Sequence, residues 1–100
     1  MKTPLVLMIY NRYDCTVQLI ESINKIKPKR LFIIADGPKE NDKLDNNKCE
    51  EVRKVIDSID WDCNLTKIYS NYNMGLEKRI VSGLNEVFLT VDRAIILEDD

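Results

Sequence analysis

Four short apolar runs punctuate the chain: Pro4 to Tyr10 (PLVLMIY), Arg30 to Asp36 (RLFIIAD), Leu65 to Ser70 (LTKIYS) and Ala94 to Asp99 (AIILED). Three of them are nearly unbroken stretches rich in Ile, Leu and Val, the pattern of strands buried on both faces. The run from Leu65 alternates more, which predicts a strand nearer a sheet edge. Between the runs, apolar residues recur at helical spacing. Leu19, Ile20, Ile23 and Ile26 share one face of the first intervening segment, where Asp14 or Thr16 can cap the start. Val52, Val55, Ile56 and Ile59 form the stripe of the second. Leu76, Ile80, Leu84, Val87 and Phe88 form that of the third, with Asn73 or Gly75 serving the turn before it. The segment from Gly37 to Lys48 (GPKENDKLDNNK) is polar and turn-rich and predicts a mobile loop after the second strand.

Strand and helix thus alternate at the roughly thirty-residue interval of βαβ units, which predicts right-handed crossovers and a mainly parallel sheet. The fold class is α/β, a Rossmann-like three-layer α/β/α arrangement. In such open sheets ligands sit at the carboxyl ends of the strands. The residues that follow each strand are therefore the ones to read for chemistry.

After the first run come Asn11 and Arg12. Arg12 is either a solvated cation beside a helix start or a permanent charge suited to a phosphate or a base. After the second come Asp36 and Gly37, which make a good turn with Pro38. Alternatively, Asp36 accepts hydrogen bonds from a nucleotide base or ribose while Gly37 lets the ligand approach the backbone. After the third, Asn73 and Gly75 open a helix whose N-terminus suits a phosphate, and Arg79 one turn in can reach the same anion. After the fourth come Glu98, Asp99 and Asp100. In an extended chain Glu98 and Asp100 point one way and Asp99 the other. Such a trio can give one or two oxygens to a Mg²⁺ or Mn²⁺ completed by a diphosphate and water.

Composition narrows the chemistry further. The chain of 100 residues holds no histidine and has a net charge of −2, with Lys and Arg scattered. Nucleic-acid binding therefore has no electrostatic footprint, and any acid–base or metal chemistry falls to carboxylates, which favour hard cations. Cys15, Cys49 and Cys63 are odd in number and widely spaced, which suits reduced thiols and a cytoplasmic protein. No apolar run reaches the length of a membrane span.

Taken in order, Tyr10 to Arg12 (YNR), Asp36 to Lys39 (DGPK), Asn73 to Leu76 (NMGL), Ile80 to Phe88 (IVSGLNEVF) and Ile96 to Asp100 (ILEDD) cover almost the whole chain. In that order they resemble the amino-terminal half of a GT-A-type nucleotide-sugar glycosyltransferase. The likeness is to the family-2-like bacterial enzymes related to the N-acetylglucosaminyltransferase I group. The resemblance implies the strand order of GT-A folds and Mn²⁺ or Mg²⁺ as cofactor. It also implies transfer of a sugar from a nucleoside diphosphate, UDP above all, to an acceptor hydroxyl. By the same resemblance Asp36 contacts the base, Arg12 sits near the nucleotide, Glu98 and Asp99 face the ribose and sugar, and Asp100 ligates the metal. The general base of such enzymes lies further along than residue 100, so the chain reads as a truncated donor-binding half. Its exposed sheet edges then predict a homodimer. Glu77, Lys78 and Arg79 depart from the family, whose members carry small or neutral residues there. A nucleotidyltransferase-like or non-catalytic nucleotide-binding module is the alternative, although Tyr10 to Thr16 lacks the Gly-rich loop of the former.

Overall fold

The computed structural model describes residues 2–99. Four strands, β1 (Leu5–Ile9), β2 (Arg30–Ala35), β3 (Asn64–Tyr69) and β4 (Ile95–Glu98), alternate with three helices, α1 (Tyr13–Asn24), α2 (Lys43–Asp57) and α3 (Leu76–Val87). All strand pairs are parallel and the order is β3-β2-β1-β4. The chain therefore moves outward from β1 to β3, then returns past its start to lay β4 on the other side of β1. That reversal puts α1 and α2 on one face and α3 on the other, as right-handed crossovers require. The result is the three-layer α/β fold that the alternation of runs predicts.

The two faces of the sheet carry separate cores because side chains alternate along each strand. Leu5, Leu7, Ile9, Leu31 and Ile33 point to α1 and α2, where Ile20, Ile23, Val52 and Ile56 meet them. Val6, Phe32, Ile34 and Ile68 point to α3 and pack with Val87. β1 and β2 are thus buried on both faces, as their unbroken apolar runs predict. β3 lies at one edge, as its alternation predicts, and Lys67 on it pairs with Asp57 at 2.6 Å. At the opposite end of the strand from the cleft described below, Arg30 donates to the Asn64 carbonyl and the Thr66 hydroxyl, both at 2.9 Å. Those bonds fasten β2 to its outer neighbour.

Four expectations need correction. β4 is an edge strand, and Ile95 and Ile96 stay 40% and 41% exposed, where the run predicts burial on both faces. The cause is visible in α3, which sits against β2. A methyl group at Gly83 would come within 2.7 Å of the Ile34 side chain, so the missing side chain draws the helix over β2 and away from β4.

The same contact shifts the phase of α3. Its buried residues are Arg79, Gly83 and Val87, while Leu76, counted into the apolar stripe, is 77% exposed. Neither Asp14 nor Thr16 caps α1. The helix begins at Tyr13 with Arg12 as N-cap, and the Thr16 hydroxyl donates back to the Arg12 carbonyl. Finally, the polar stretch to Lys48 is not loop throughout. Asp42 caps α2, accepting the Asp45 N–H at 2.9 Å, and helix runs from Lys43. An acid placed there also meets the positive end of the helix.

Cys15, Cys49 and Cys63 are free thiols. Among the described residues, no helix is long and apolar enough to cross a membrane.

Candidate functional site

The reversal of strand order between β1 and β4 leaves a crevice at the carboxyl ends of the strands, where open α/β sheets bind ligands. A cleft of about 540 Å³ opens there. Met8, Ile34, Leu76 and Ile80 give it apolar lining, and the polar lining comes from all four strand ends. Asn11 and Arg12 follow β1, Asp36 follows β2, Asn73, Gly75 and Arg79 follow β3, and Glu98 and Asp99 close β4. Residues read separately along the sequence thus meet around one space of ligand size. Gly37 is the exception and does not line it. The close approach at Gly37 comes from protein, since a methyl group there would sit 2.5 Å from the Tyr72 carbonyl oxygen.

Asp36 is the hub of the site. Its Oδ1 accepts the N–H groups of Gly37 and Met74, each at 2.9 Å. Its Oδ2 accepts the Gly75 N–H at 3.1 Å and the Asn73 amide at 3.3 Å. These contacts hold the turn that starts α3 onto the tip of β2. The Asn73 amide also reaches the Gly37 carbonyl at 3.0 Å and the Tyr10 hydroxyl at 3.2 Å. Behind this turn, Arg53 of α2 donates to the carbonyls of Asp36 at 3.1 Å and Ser70 at 2.8 Å, with its guanidinium over the Tyr69 ring. The tips of β2 and β3 are therefore tied through one side chain.

The turn delivers α3 to the cleft in a particular state. Gly75 is the N-cap at φ 87°, a left-handed backbone that favours glycine. It brings no side chain to cap the helix. The first-turn N–H groups lack intrahelical acceptors and carry the positive end of the helix dipole, and Gly75 and Leu76 at that end line the cleft. One turn on, Arg79 is only 8% exposed, and its buried Nε has no hydrogen-bond partner among the described residues. A buried N–H without a partner is costly, and an anion in the cleft would supply one. This burial contrasts with the exposed basic stretch that the local sequence Glu77-Lys78-Arg79 suggests.

No family model, curated protein or solved structure matches this chain. The reading of the cleft therefore rests on its own geometry.

The acidic end is arranged differently from an extended strand. β4 stops at Glu98, so strict alternation ends there, and Glu98 and Asp99 both line the cleft. Among the described residues no group of three or more His, Cys, Asp or Glu side chains could hold a metal ion. Asp100, the ligand that the resemblance implies, lies outside the described residues. Glu98 and Asp99 are hard oxygen donors of the type Mg²⁺ and Mn²⁺ take, and either metal also draws ligands from phosphate and water.

The sequence reading overlooked Tyr10 as a site residue, and with it Lys39, Asp45 and Arg53. Asp45 accepts the Tyr10 hydroxyl, the Asn11 amide at 2.9 Å and the Lys39 N–H at 2.8 Å. Burial alone would push its carboxyl up, but these three donors outweigh burial and hold it below the usual carboxylate range. Tyr10 is pushed upward, by burial first and then by its bond to Asp45. The Asp42-x-x-Asp45 spacing was the available signal, since it marks a capped helix start.

Two other buried groups set the alkaline limit of the fold. Burial, with Asp45 nearby, pushes the Cys49 thiol from its ordinary 9.0 up to about 11. Burial, with Asp57 contributing, pushes the Tyr69 phenol from 10.0 up to about 12. Each raised value means that the unfolded chain ionises first, so their contribution is full below the unfolded value and is lost as pH rises toward the folded one. The melting temperature is expected to hold level up to pH 9.0 and to fall as pH climbs toward 11. Cys49→Ala should flatten the first part of that fall. Melts as steep in the variant as in the parent would assign the loss elsewhere.

Proposed function

We propose that this chain is the donor-binding half of a metal-dependent glycosyltransferase, with a nucleoside diphosphate sugar, UDP-sugar first, in the cleft. The observation that supports the reading is the pairing of an α3 N-terminus without a side-chain cap with a buried Arg79, whose Nε lacks a partner among the described residues, at the strand-order reversal. Together they offer an anion site suited in charge to a diphosphate. Asn11 and Arg12 then face the nucleoside. Glu98 and Asp99, with Asp100, take the ribose side and a Mn²⁺ or Mg²⁺ that neutralises the leaving diphosphate. Asp36 serves by holding the Asn73–Gly75 turn in place. The acceptor is a hydroxyl compound.

A second reading is a metal-independent nucleotide-binding module, because the α3 and Arg79 grip needs no cation. Calorimetric titration of UDP with and without Mn²⁺ separates the two. Binding strengthened by Mn²⁺ supports the transferase, equal binding in both supports the module, and no heat in either rejects a nucleotide site. A homodimer through the open β4 edge belongs to the same proposal. Light scattering on the same samples that reads a monomer throughout would remove it.

A further inference from the structure

The first turn of α2 carries a buried carboxylate that its own helix does not use. Asp42 caps the helix by accepting the Asp45 N–H. In a reciprocal capping box the acid at this third helical position turns back to the N-cap N–H. Asp45 turns outward instead. Its Oδ2 accepts the Tyr10 hydroxyl and the Lys39 N–H, and its Oδ1 accepts the Asn11 amide. Tyr10, Asn11 and Lys39 all line the cleft, whereas Asp45 does not. The Tyr10 hydroxyl accepts in turn from Asn73, so one chain of bonds runs from α2 across the tip of β1 to the turn before α3. A carboxylate at 6% exposure is tolerated only with donors aimed at it, and every donor here comes from a cleft-lining residue.

We infer that Asp45 is a positioning residue for the cleft, an ionised carboxylate that fixes the Asn11 amide and the Lys39 backbone before a ligand arrives. The inference rests on the nucleotide reading above. Asp45 makes no ligand contact itself; it acts directly on the nucleoside side of the cleft, through Asn11 and Lys39, and reaches the diphosphate grip of α3 only through Tyr10 and Asn73. An amide at this position keeps the size but turns one acceptor oxygen into a donor. Either Asn11, or Tyr10 with Lys39, then loses its partner.

The test compares Asp45→Asn with the parent in binding UDP and inorganic diphosphate, well below both melting temperatures. UDP affinity is expected to fall about tenfold, the loss that one misplaced hydrogen bond to the ligand gives. Diphosphate affinity is expected to fall clearly less, because Asp45 reaches α3 only through Tyr10 and Asn73. An equal fall for both ligands is what general loosening gives, and it would overturn the inference, as would no change in either.

A parent that binds neither ligand rejects the nucleotide reading itself. The ligand-free network is read separately, from the near-ultraviolet spectrum of the tyrosines at neutral pH, with Tyr10→Phe assigning the Tyr10 contribution. Loss of the charged acceptor should shift that contribution in Asp45→Asn. A Tyr10 contribution that does not move would overturn the inference.

Discussion

Replacing Arg79 by methionine is expected to make the protein more stable and to remove most of its affinity for a nucleoside diphosphate. The side chain is 8% exposed, and its Nε is buried without a partner among the described residues. Exchanging a buried charge for an apolar side chain of similar length is often neutral or favourable by about 1–4 kcal/mol. The low end fits here, because part of the guanidinium faces the open cleft. Binding moves the other way. A hydrogen bond to a charged group contributes roughly 1.5–3 kcal/mol, or about a tenfold to hundredfold loss of affinity when it is removed. Thermal melts and UDP calorimetry on one preparation check both signs. A variant that is less stable and binds as well as the parent would show Arg79 to be a packing residue.

Asp36→Ala should have the largest effect on stability of any substitution in the cleft. It strips the acceptor from the N–H groups of Gly37, Met74 and Gly75 and from the Asn73 amide. Leaving a buried donor unsatisfied costs about 1–3 kcal/mol, and water reaches some of these groups, so a total on the order of 3–5 kcal/mol is expected. That approaches the whole stability of a small domain, about 5–15 kcal/mol. Chemical denaturation of Asp36→Ala and of the milder Asp36→Asn measures it. A loss under about 1 kcal/mol for the alanine variant would mean that the turn before α3 holds itself, since that is the worth of a single ordinary hydrogen bond.

The parts of this fold that could be read from sequence are those in which burial acts on contiguous residues. β1 is apolar at every position and β2 at every position after Arg30, because helices cover both faces, and β3 alternates because it lies at an edge. The phase of α3 was not legible, because Gly83 and Arg79 occupy its buried face and a count of apolar residues passes over both. The start of α2 was not legible either. Lys43 to Lys48 holds only Leu44 as an apolar residue, and Leu44 is exposed, so this turn gains nothing from burial and depends on the Asp42 cap. Strand-tip position was enough to gather Asn11, Arg12, Asp36, Asn73, Gly75, Arg79, Glu98 and Asp99 around one cleft. It could not say which of them meet a ligand and which hold the others. Asp36 looks like a ligand from its position and acts as a hub by its bonds. The Asp42-x-x-Asp45 spacing marks a helix start but not the role of Asp45, since its partners Tyr10 and Asn11 are remote in sequence and converge only after the sheet forms.

The notch at Gly83 has a consequence for the shape of the binding space. Its missing side chain sets how closely α3 approaches the sheet, and α3 supplies one wall of the cleft through Leu76, Arg79 and Ile80. The bore of the cleft is thus gauged about two turns away from its mouth, at a residue that no ligand would touch. Any side chain at Gly83 would act as a shim under the helix, so the size of molecule this protein can admit is written partly in a position that carries no chemistry.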